Sequence, residues 1–153
     1  MPDLDVNSYM KIAMEEAHAA AARDEVPIGA VLVDSTTGEI VARNGNRTIE
    51  LSDPTAHAEI LVIREACQKI GKQRIPDYDM YVTLEPCTQC AAAISFARIR
   101  KLTFGAEDIK GGAVTNGVRF FEQPTCHHKI EIEHGIIAEE SSTLLKQYFK
   151  GKR

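Results

Sequence analysis

Two short segments constrain this chain more than any other feature, because together they supply three side chains that bind metal ions. The first contains His57 and, two positions later, Glu59. The second contains Cys87 and Cys90 at C-x-x-C spacing, directly after a proline. Catalytic zinc typically has three protein ligands and a water molecule in the fourth position. His57, Cys87 and Cys90 are therefore candidate zinc ligands, and only a fold that brings the two segments together can use them.

Neither of these segments is decisive when it is taken alone. A C-x-x-C pair also occurs in redox dithiols, or can have no special role. A glutamate at position 59 would be favoured near a helix N-terminus by the helix dipole, whatever its function. The combination is much more specific, since it requires a histidine, a glutamate two residues on and a Pro-Cys-x-x-Cys sequence. It indicates a metal centre in which Glu59 moves the protons of a water molecule.

Periodic apolar residues predict an α/β chain of four helices and five strands. Helices are predicted at residues 7–22, from Asp53-Pro54 to Gly71, from Pro86-Cys87 to Ala97, and from about Ala138 towards the C-terminus. Strands are predicted at residues 28–33, 40–43, 80–84, 102–104 and 129–133. The first two strands are predicted to form an antiparallel hairpin. The later alternation of strands and helices predicts a largely parallel sheet with right-handed crossovers.

The predicted topology can bring the candidate ligands together. Parallel strands place the N-termini of successive crossover helices at one edge of the sheet, where open α/β folds bind ligands. Cys87 and Cys90 are three residues apart and share one helix face, and a helix N-terminus favours thiolate over thiol. On an ideal helix, however, residues i and i+2 do not face each other. His57 and Glu59 are therefore expected to approach the metal ion from different sides.

Two polar stretches are predicted to be irregular. Residues 105–128 are rich in glycine and long for a connection inside a domain, so they are either functional or contain a helix. Residues 44–47, Asn-Gly-Asn-Arg, are most simply a turn, although an amide there could also read the edge of a base.

Length and composition are typical of one globular domain. The 153 residues can bury roughly two thirds of their unfolded surface in one core. No apolar run approaches the roughly 18 residues of a membrane span, and residues 1–5 lack the basic-then-apolar order of a secretory signal. We therefore predict one domain over residues 1–153, located in the cytoplasm and not in a membrane. In that reducing compartment the C-x-x-C pair favours metal or redox chemistry over a structural disulfide.

The overall charge does not predict a nucleic-acid-binding protein. The net charge is −4, whereas nucleic-acid-binding domains are usually basic. Any RNA contact would need a local basic patch. Basic residues flank the predicted helix that contains Cys90 and also end the chain, at Arg98, Arg100, Lys101, Lys146, Lys150, Lys152 and Arg153. They form either such a patch or an ordinary solvated surface.

The H-x-E and P-C-x-x-C pattern is typical of zinc-dependent nucleobase deaminases, and the chain resembles the bacterial tRNA-specific adenosine deaminases. The resemblance spans about residues 26–149, and its most specific parts are residues 26–30, 45–47, 55–59, 83–90 and 104–108. It implies a three-layer α/β/α fold of the cytidine deaminase-like type, with a mixed five-stranded sheet flanked by helices. It also implies hydrolytic deamination of adenosine to inosine at the wobble position of a tRNA anticodon stem-loop. The expected enzyme is a homodimer with one Zn²⁺ per subunit.

The resemblance also implies roles for individual residues. His57, Cys87 and Cys90 match the family's zinc ligands, and Glu59 matches the proton shuttle for a zinc-bound water that attacks C6. Six further positions match substrate-binding residues of the family. Asn46 matches an amide that hydrogen-bonds the base, and Ile28, Leu84 and Pro86 match residues that line the pocket. Asp108 and Phe149 match residues that contact the RNA around the flipped nucleotide. The segment 120–128 resembles only part of the family.

Three other functions are compatible with the sequence. Deaminases of free bases or nucleosides, such as guanine, cytosine or cytidine, share the zinc signature, and only the flanking motifs and the basic C-terminus favour RNA. A structural zinc module would result if Cys126, His127 or His128 supplied a fourth ligand and closed the site. A redox protein would use the C-x-x-C pair without a metal ion and without His57.

Overall fold

The centre of the structure, a computed structural model that describes residues 5–152, is a mixed sheet of five strands. The strands are β1 (Gly29–Asp34), β2 (Ile40–Gly45), β3 (Tyr78–Leu84), β4 (Lys101–Ala106) and β5 (Glu131–His134), in the order β2-β1-β3-β4-β5. β1 runs antiparallel to both β2 and β3, whereas β3, β4 and β5 are parallel. The predicted hairpin and mixed sheet are confirmed. Residues 1–4, whose order argued against a secretory signal, and Arg153 lie outside the described residues.

Within residues 5–152, four α-helices flank this sheet: α1 (Val6–Ala22), α2 (Ala58–Ile70), α3 (Thr88–Ala97) and α4 (Ala138–Lys150). The Asp5 side chain caps α1 by accepting a hydrogen bond from the Ser8 backbone N–H. α2 ends at Gly71 in the left-handed conformation, with φ of 77°, which confirms the predicted helix end. None of the helices in the described part of the chain is long and apolar enough to cross a bilayer.

Two separate cores form on the two faces of the sheet, because successive residues of a strand point in opposite directions. On one face, Leu32 of β1 belongs to a core with Val62 of α2 and Ile94 of α3. On the other face, the neighbouring Val31 belongs to a core with Met10 of α1. α4 contacts α1 and the strands β3 and β4. The arrangement confirms the predicted three-layer α/β/α architecture.

The second helix begins later than the sequence predicts. Asp53 and Pro54 lie in a turn, and α2 begins only at Ala58. The Asp53 carboxylate accepts hydrogen bonds from the backbone N–H and the hydroxyl of Thr55, at 2.9 and 2.6 Å. Such a local turn uses the same side-chain oxygen that would otherwise cap a helix, so the predicted helix start at Asp53-Pro54 was wrong.

The connection between β4 and β5 is mostly irregular. Its regular element is a short 3-10 helix, Phe120–Glu122, which packs against α3. The part before that helix folds back over the end of β3, where Ala113 donates a backbone hydrogen bond to the Pro86 carbonyl. The connection therefore forms one wall of the region where β3 leads into α3.

Candidate metal centre and substrate pocket

The three candidate ligands converge on one point. The ligand atoms of His57, Cys87 and Cys90 all lie within 4.8 Å of one another. Among residues 5–152, no other three His, Cys, Asp or Glu side chains form such a group. His57 Nδ1 is 3.6 Å from Cys87 Sγ and 3.3 Å from Cys90 Sγ. In a tetrahedral zinc site, with Zn–N of about 2.0 Å and Zn–S of about 2.3 Å, a nitrogen and a sulfur ligand are about 3.5 Å apart. The donor atoms therefore fit a single tetrahedral ion.

Strand directions explain why the ligands meet. β2 and β3 point the same way, because each is antiparallel to β1. The segments that leave β2 and β3 at their C-terminal ends lead into α2 and α3, so the N-termini of these two helices lie at the same edge of the sheet. His57 is the N-cap residue of α2, and Cys87 is the N-cap residue of α3. Cys90 follows in the first turn of α3.

The extended backbone of His57 removes the geometric difficulty with Glu59. His57 has φ of −74° and ψ of 155°, so it is not helical, and the rule for residues i and i+2 of a helix does not apply. Glu59, the second residue of α2, is 4% exposed, and its charge interacts with those of His57 and both cysteines. Burial raises the pKa of the Glu59 carboxyl to about 7. A carboxyl with such a pKa can accept and release protons near neutral pH.

The two thiols differ in acidity. The pKa of Cys87 is lowered to about 4, because its sulfur accepts hydrogen bonds from the Cys90 thiol and then from His57. The pKa of Cys90 is raised, because its thiol donates to Cys87 and is buried. A hydrogen bond with Cys87 also raises the pKa of His57. A divalent cation held by all three groups would ionise the second thiol as well, and one imidazole with two thiolates is a donor set that suits zinc.

A cavity of about 230 Å³ lies against the metal centre. Four of the predicted substrate-binding residues line it, namely Ile28, Asn46, Leu84 and Asp108, together with His57, Glu59 and Cys87. Pro86 is buried and is not among the lining residues. Phe149 lies outside this cavity, in a neighbouring groove. The cavity therefore combines the metal centre, the buried carboxyl of Glu59 and an apolar wall.

The Asn46 side chain is held in one orientation. Its Oδ1 accepts a hydrogen bond of 2.8 Å from the Ala58 backbone N–H, and its own backbone carbonyl accepts one of 2.9 Å from Arg23. Because a backbone N–H needs an acceptor, the amide oxygen must face Ala58. The NH₂ group of Asn46 has no partner among residues 5–152 and remains available to the cavity that Asn46 lines.

A groove of about 830 Å³ adjoins the cavity, sharing Leu84 and Asp108 with it. The groove runs between the loop after β4 and helix α4, and its lining includes the half-exposed ring of Phe149. Three lysines line it, at positions 110, 146 and 150. Of these, Lys146 and Lys150 were among the basic residues that the sequence singled out, whereas sequence reasoning missed Lys110, which carries no local signal in a glycine-rich loop.

Other basic residues that were candidates for a patch are engaged elsewhere. Arg100 pairs with Asp79 at 2.6 Å, and Lys101 pairs with Glu131 and Glu133. Arg98 donates a hydrogen bond to the Ser95 carbonyl at the end of α3. The carboxylates of Asp79, on β3, and of Glu131 and Glu133, on β5, offset the charges of Arg100 and Lys101, whereas Arg98 bonds to a neutral carbonyl. Of the two alternatives that the sequence left open, these ion pairs favour a solvated surface over a basic patch beside α3.

The residues that could have closed the metal site lie elsewhere. The Cys126 sulfur is 3.5 Å from the Ser95 hydroxyl, and His128 Nε2 is 2.6 Å from the Ile99 carbonyl oxygen. Neither residue, nor His127, belongs to the metal-binding group. Glu85 is a further residue whose role the sequence did not indicate: its buried carboxylate receives hydrogen bonds from the loop after β4.

Comparisons with known proteins agree with this geometry. The MafB19-like deaminase family matches residues 4–151. A tRNA-specific adenosine deaminase of Agrobacterium fabrum is 61% identical over 145 residues, covering 95% of this chain and 94% of its own. Another, from Rickettsia bellii, is 45% identical over 141 residues, covering 92% and 97%.

Solved structures show the same relationship. One, from a study of A-to-I editing by tRNA:A34 deaminases at the wobble position of transfer RNA, has a TM-score of 0.87 and 61% identity, covering 90% of this chain and 99% of its own. A guanine deaminase from Nitrosomonas europaea has a TM-score of 0.84 over 96% and 86% of the two chains, and at 21% identity this match shows a common fold alone. Given the identity and coverage of these relatives, this chain belongs to the tRNA-specific adenosine deaminase family.

Proposed function

We propose that this chain is a zinc-dependent enzyme that deaminates adenosine to inosine at the wobble position of a tRNA anticodon. The observation that carries the proposal is the His57, Cys87 and Cys90 cluster beside the buried Glu59, in a cavity that adjoins a lysine-lined groove. The names of the relatives support tRNA adenosine as the substrate. The wobble position is supported by the deaminase structure at 61% identity.

The proposed mechanism assigns one task to each group at the metal centre. His57, Cys87 and Cys90 would hold one Zn²⁺ per chain, as their spacing fits tetrahedral coordination. When bound, zinc acts as a Lewis acid that lowers the pKa of water towards about 7. Glu59 accepts a proton from the attacking water and delivers protons to a ring nitrogen and to the departing amine. Water is consumed and ammonia is released.

The remaining cavity residues orient the base. Asn46 offers an NH₂ donor, which pairs with a ring-nitrogen acceptor of adenine such as N7. Ile28 and Leu84 contact the faces of the base, and Asp108 lies where the cavity meets the groove. Pro86, which matches a pocket-lining position of the family, is buried and does not line the cavity.

Replacing Asn46 by aspartate tests the donor role specifically. The aspartate can still accept the Ala58 N–H but cannot donate to the base, so we expect kcat/KM to fall about 100-fold, the upper range for a lost buried hydrogen bond. Asn44→Asp is the matched control. The Asn44 side-chain oxygen accepts hydrogen bonds from the Gly45 backbone N–H and from Arg47, and aspartate can accept both. Steady-state inosine formation measures both variants. An unchanged kcat/KM in Asn46→Asp, with normal metal content, would remove Asn46 from base recognition.

The groove is the proposed binding site for the anticodon loop. Phe149, 47% exposed, offers a ring for base stacking, which is how single-stranded RNA is commonly bound. The lysines at 110, 146 and 150 have no ion-pair partner among residues 5–152, in contrast to Arg100 and Lys101. They supply local positive charge on a chain whose net charge is −4.

Salt dependence tests this assignment. Each phosphate contact on single-stranded RNA contributes about 0.7 to the slope of log affinity against log salt. Replacing Lys110, Lys146 and Lys150 together by glutamine should therefore make the slope about 2 shallower in anisotropy measurements with an anticodon stem-loop. A control with Lys11, Lys72 and Lys129 changed to glutamine makes the same charge change at exposed positions outside the groove. Equal slopes in the two triple variants would contradict binding in the groove.

The substrate is tested directly by comparing products. We expect inosine to form in an anticodon stem-loop with adenosine at the wobble position, and not in loops with adenosine elsewhere. Ammonia release from guanine, cytosine, cytidine and free adenosine is measured in parallel. Faster turnover of a free base than of the stem-loop would favour the alternative function, a deaminase of free bases.

We also propose that residues 1–153 form one deaminase domain that acts as a cytoplasmic homodimer with one zinc ion per subunit. Phe96 on α3 and Ile49 are 71% and 68% exposed and lie outside the groove, so they offer apolar surface to a second copy. All four cysteines are free thiols, as expected in a reducing compartment. Light scattering of the purified chain measures the oligomeric state.

A further inference from the structure

We infer that Glu85 is a positioning residue that holds the loop of residues 107–116 between the metal centre and the RNA groove. This role rests on the function proposed above and adds a residue to it. Glu85 immediately follows β3 and precedes Cys87 by two positions, and it is 2% exposed. It is therefore joined by the chain to the metal centre and by hydrogen bonds to the loop.

Five donors converge on the Glu85 carboxylate. Oε1 accepts from the Asp108 backbone N–H at 2.9 Å and from Asn116 Nδ2 at 2.7 Å. Oε2 accepts from the backbone N–H groups of Val114, Thr115 and Asn116, at 2.9, 2.9 and 3.0 Å. Hydrogen bonds from five donors replace the hydration that this buried carboxylate loses. The carboxylate is thus stabilised as an anion by the loop itself.

The loop is shaped to fit around this carboxylate. A Cβ atom at Gly112 would overlap the Glu85 carboxylate, so the loop backbone passes directly over it. The next residue, Ala113, donates a backbone hydrogen bond of 2.9 Å to the Pro86 carbonyl. Residues 85 and 86 therefore form the surface on which the loop is folded.

The position of this loop determines both proposed binding surfaces. Asp108 and Gly111 line the cavity beside the metal centre, while Asp108 and Lys110 line the groove. The Asp108 backbone N–H is itself one of the donors to Glu85. Loosening the loop would consequently displace groups assigned to RNA binding without removing any group assigned to the chemical step.

Glu85→Gln is the direct test. Glutamine keeps the shape but presents an NH₂ group where the carboxylate accepts hydrogen bonds, so several loop donors lose their partner. We expect KM for the anticodon stem-loop to rise about tenfold or more, while kcat changes less than about threefold and the metal content stays the same. Amide hydrogen exchange should become faster at residues 108 and 114–116.

Two further variants keep the test decisive. Asn116→Ala removes one of the five donors, and Asn116 lines neither the cavity nor the groove. We expect this variant to raise KM by about threefold, less than Glu85→Gln. It provides the test if Glu85→Gln does not fold. Glu25→Gln is the matched control, since Glu25 is equally buried and accepts the backbone N–H groups of Ile49 and Glu50. Its exchange effect should be confined to that other loop.

The outcomes separate this role from the proposed function. Unchanged KM and unchanged exchange in the 107–116 loop of Glu85→Gln would overturn the inference, and the same result in Asn116→Ala would overturn it if Glu85→Gln does not fold. Loss of kcat with KM unchanged would also overturn it, because Glu85 would then act in the chemical step. If the wild-type chain formed no inosine, the proposed function would fail, while hydrogen exchange and RNA anisotropy would still decide whether Glu85 positions the loop.

Discussion

Glu59→Gln is expected to lower kcat for inosine formation by about 1,000-fold, within the range of 10² to 10⁴ that general acid–base groups contribute. Glutamine fills the same space but cannot accept a proton from water or deliver one to the base. Glu59 is not among the proposed metal ligands, so metal content should remain at one equivalent. Single-turnover kinetics and elemental analysis of the same preparation measure the two quantities.

A matched control exists in the last helix. α2 begins with Ala58-Glu59 and α4 begins with Ala138-Glu139, so both glutamates occupy the same place relative to a helix N-terminus. Glu139 is exposed and lies outside the cavity and the groove. Glu139→Gln should lose only the helix-dipole contribution of about 0.3–1 kcal/mol and keep its kcat. If Glu59→Gln also kept its kcat, the cluster would be a structural metal site and the proposed mechanism would be wrong.

Cys87→Ala is expected to abolish both metal binding and activity. Two ligands remain, His57 and Cys90, which cannot hold a catalytic zinc site that typically needs three. The loss should also lower the melting temperature, because a ligand bound only to the folded state contributes about 4 kcal/mol at a thousandfold excess over its Kd. Elemental analysis and calorimetry with and without added zinc check both effects.

Cys126→Ser is the control for that experiment. It tests the closed, structural zinc site that the sequence allowed, in which Cys126 supplies the fourth ligand. Because the Cys126 sulfur lies against Ser95 and not in the metal-binding group, we expect Cys126→Ser to keep its zinc and its kcat. Loss of zinc from Cys126→Ser would contradict an open fourth position.

Some features were predictable because they depend on nearby residues. The apolar stripes located all four helices, and glycine at position 71 located the end of α2 because it adopts the left-handed conformation without strain. The start of α2 was predicted wrongly, at Asp53-Pro54 instead of Ala58. The Asp53 side chain bonds to Thr55 in a local turn, and Asp-Pro is compatible with either a turn or a helix cap.

The sequence by itself determined the donor set of the proposed metal centre, because the identity and local spacing of His57, Cys87 and Cys90 define one imidazole and two thiols wherever the segments meet. Only the tertiary structure decided how the surrounding groups are used. It paired Arg100 and Lys101 with acidic residues and left other lysines at the groove. It also placed Glu85 beneath donors 23 to 31 residues away along the chain. Such partners are set by packing between distant segments, and no local pattern records them.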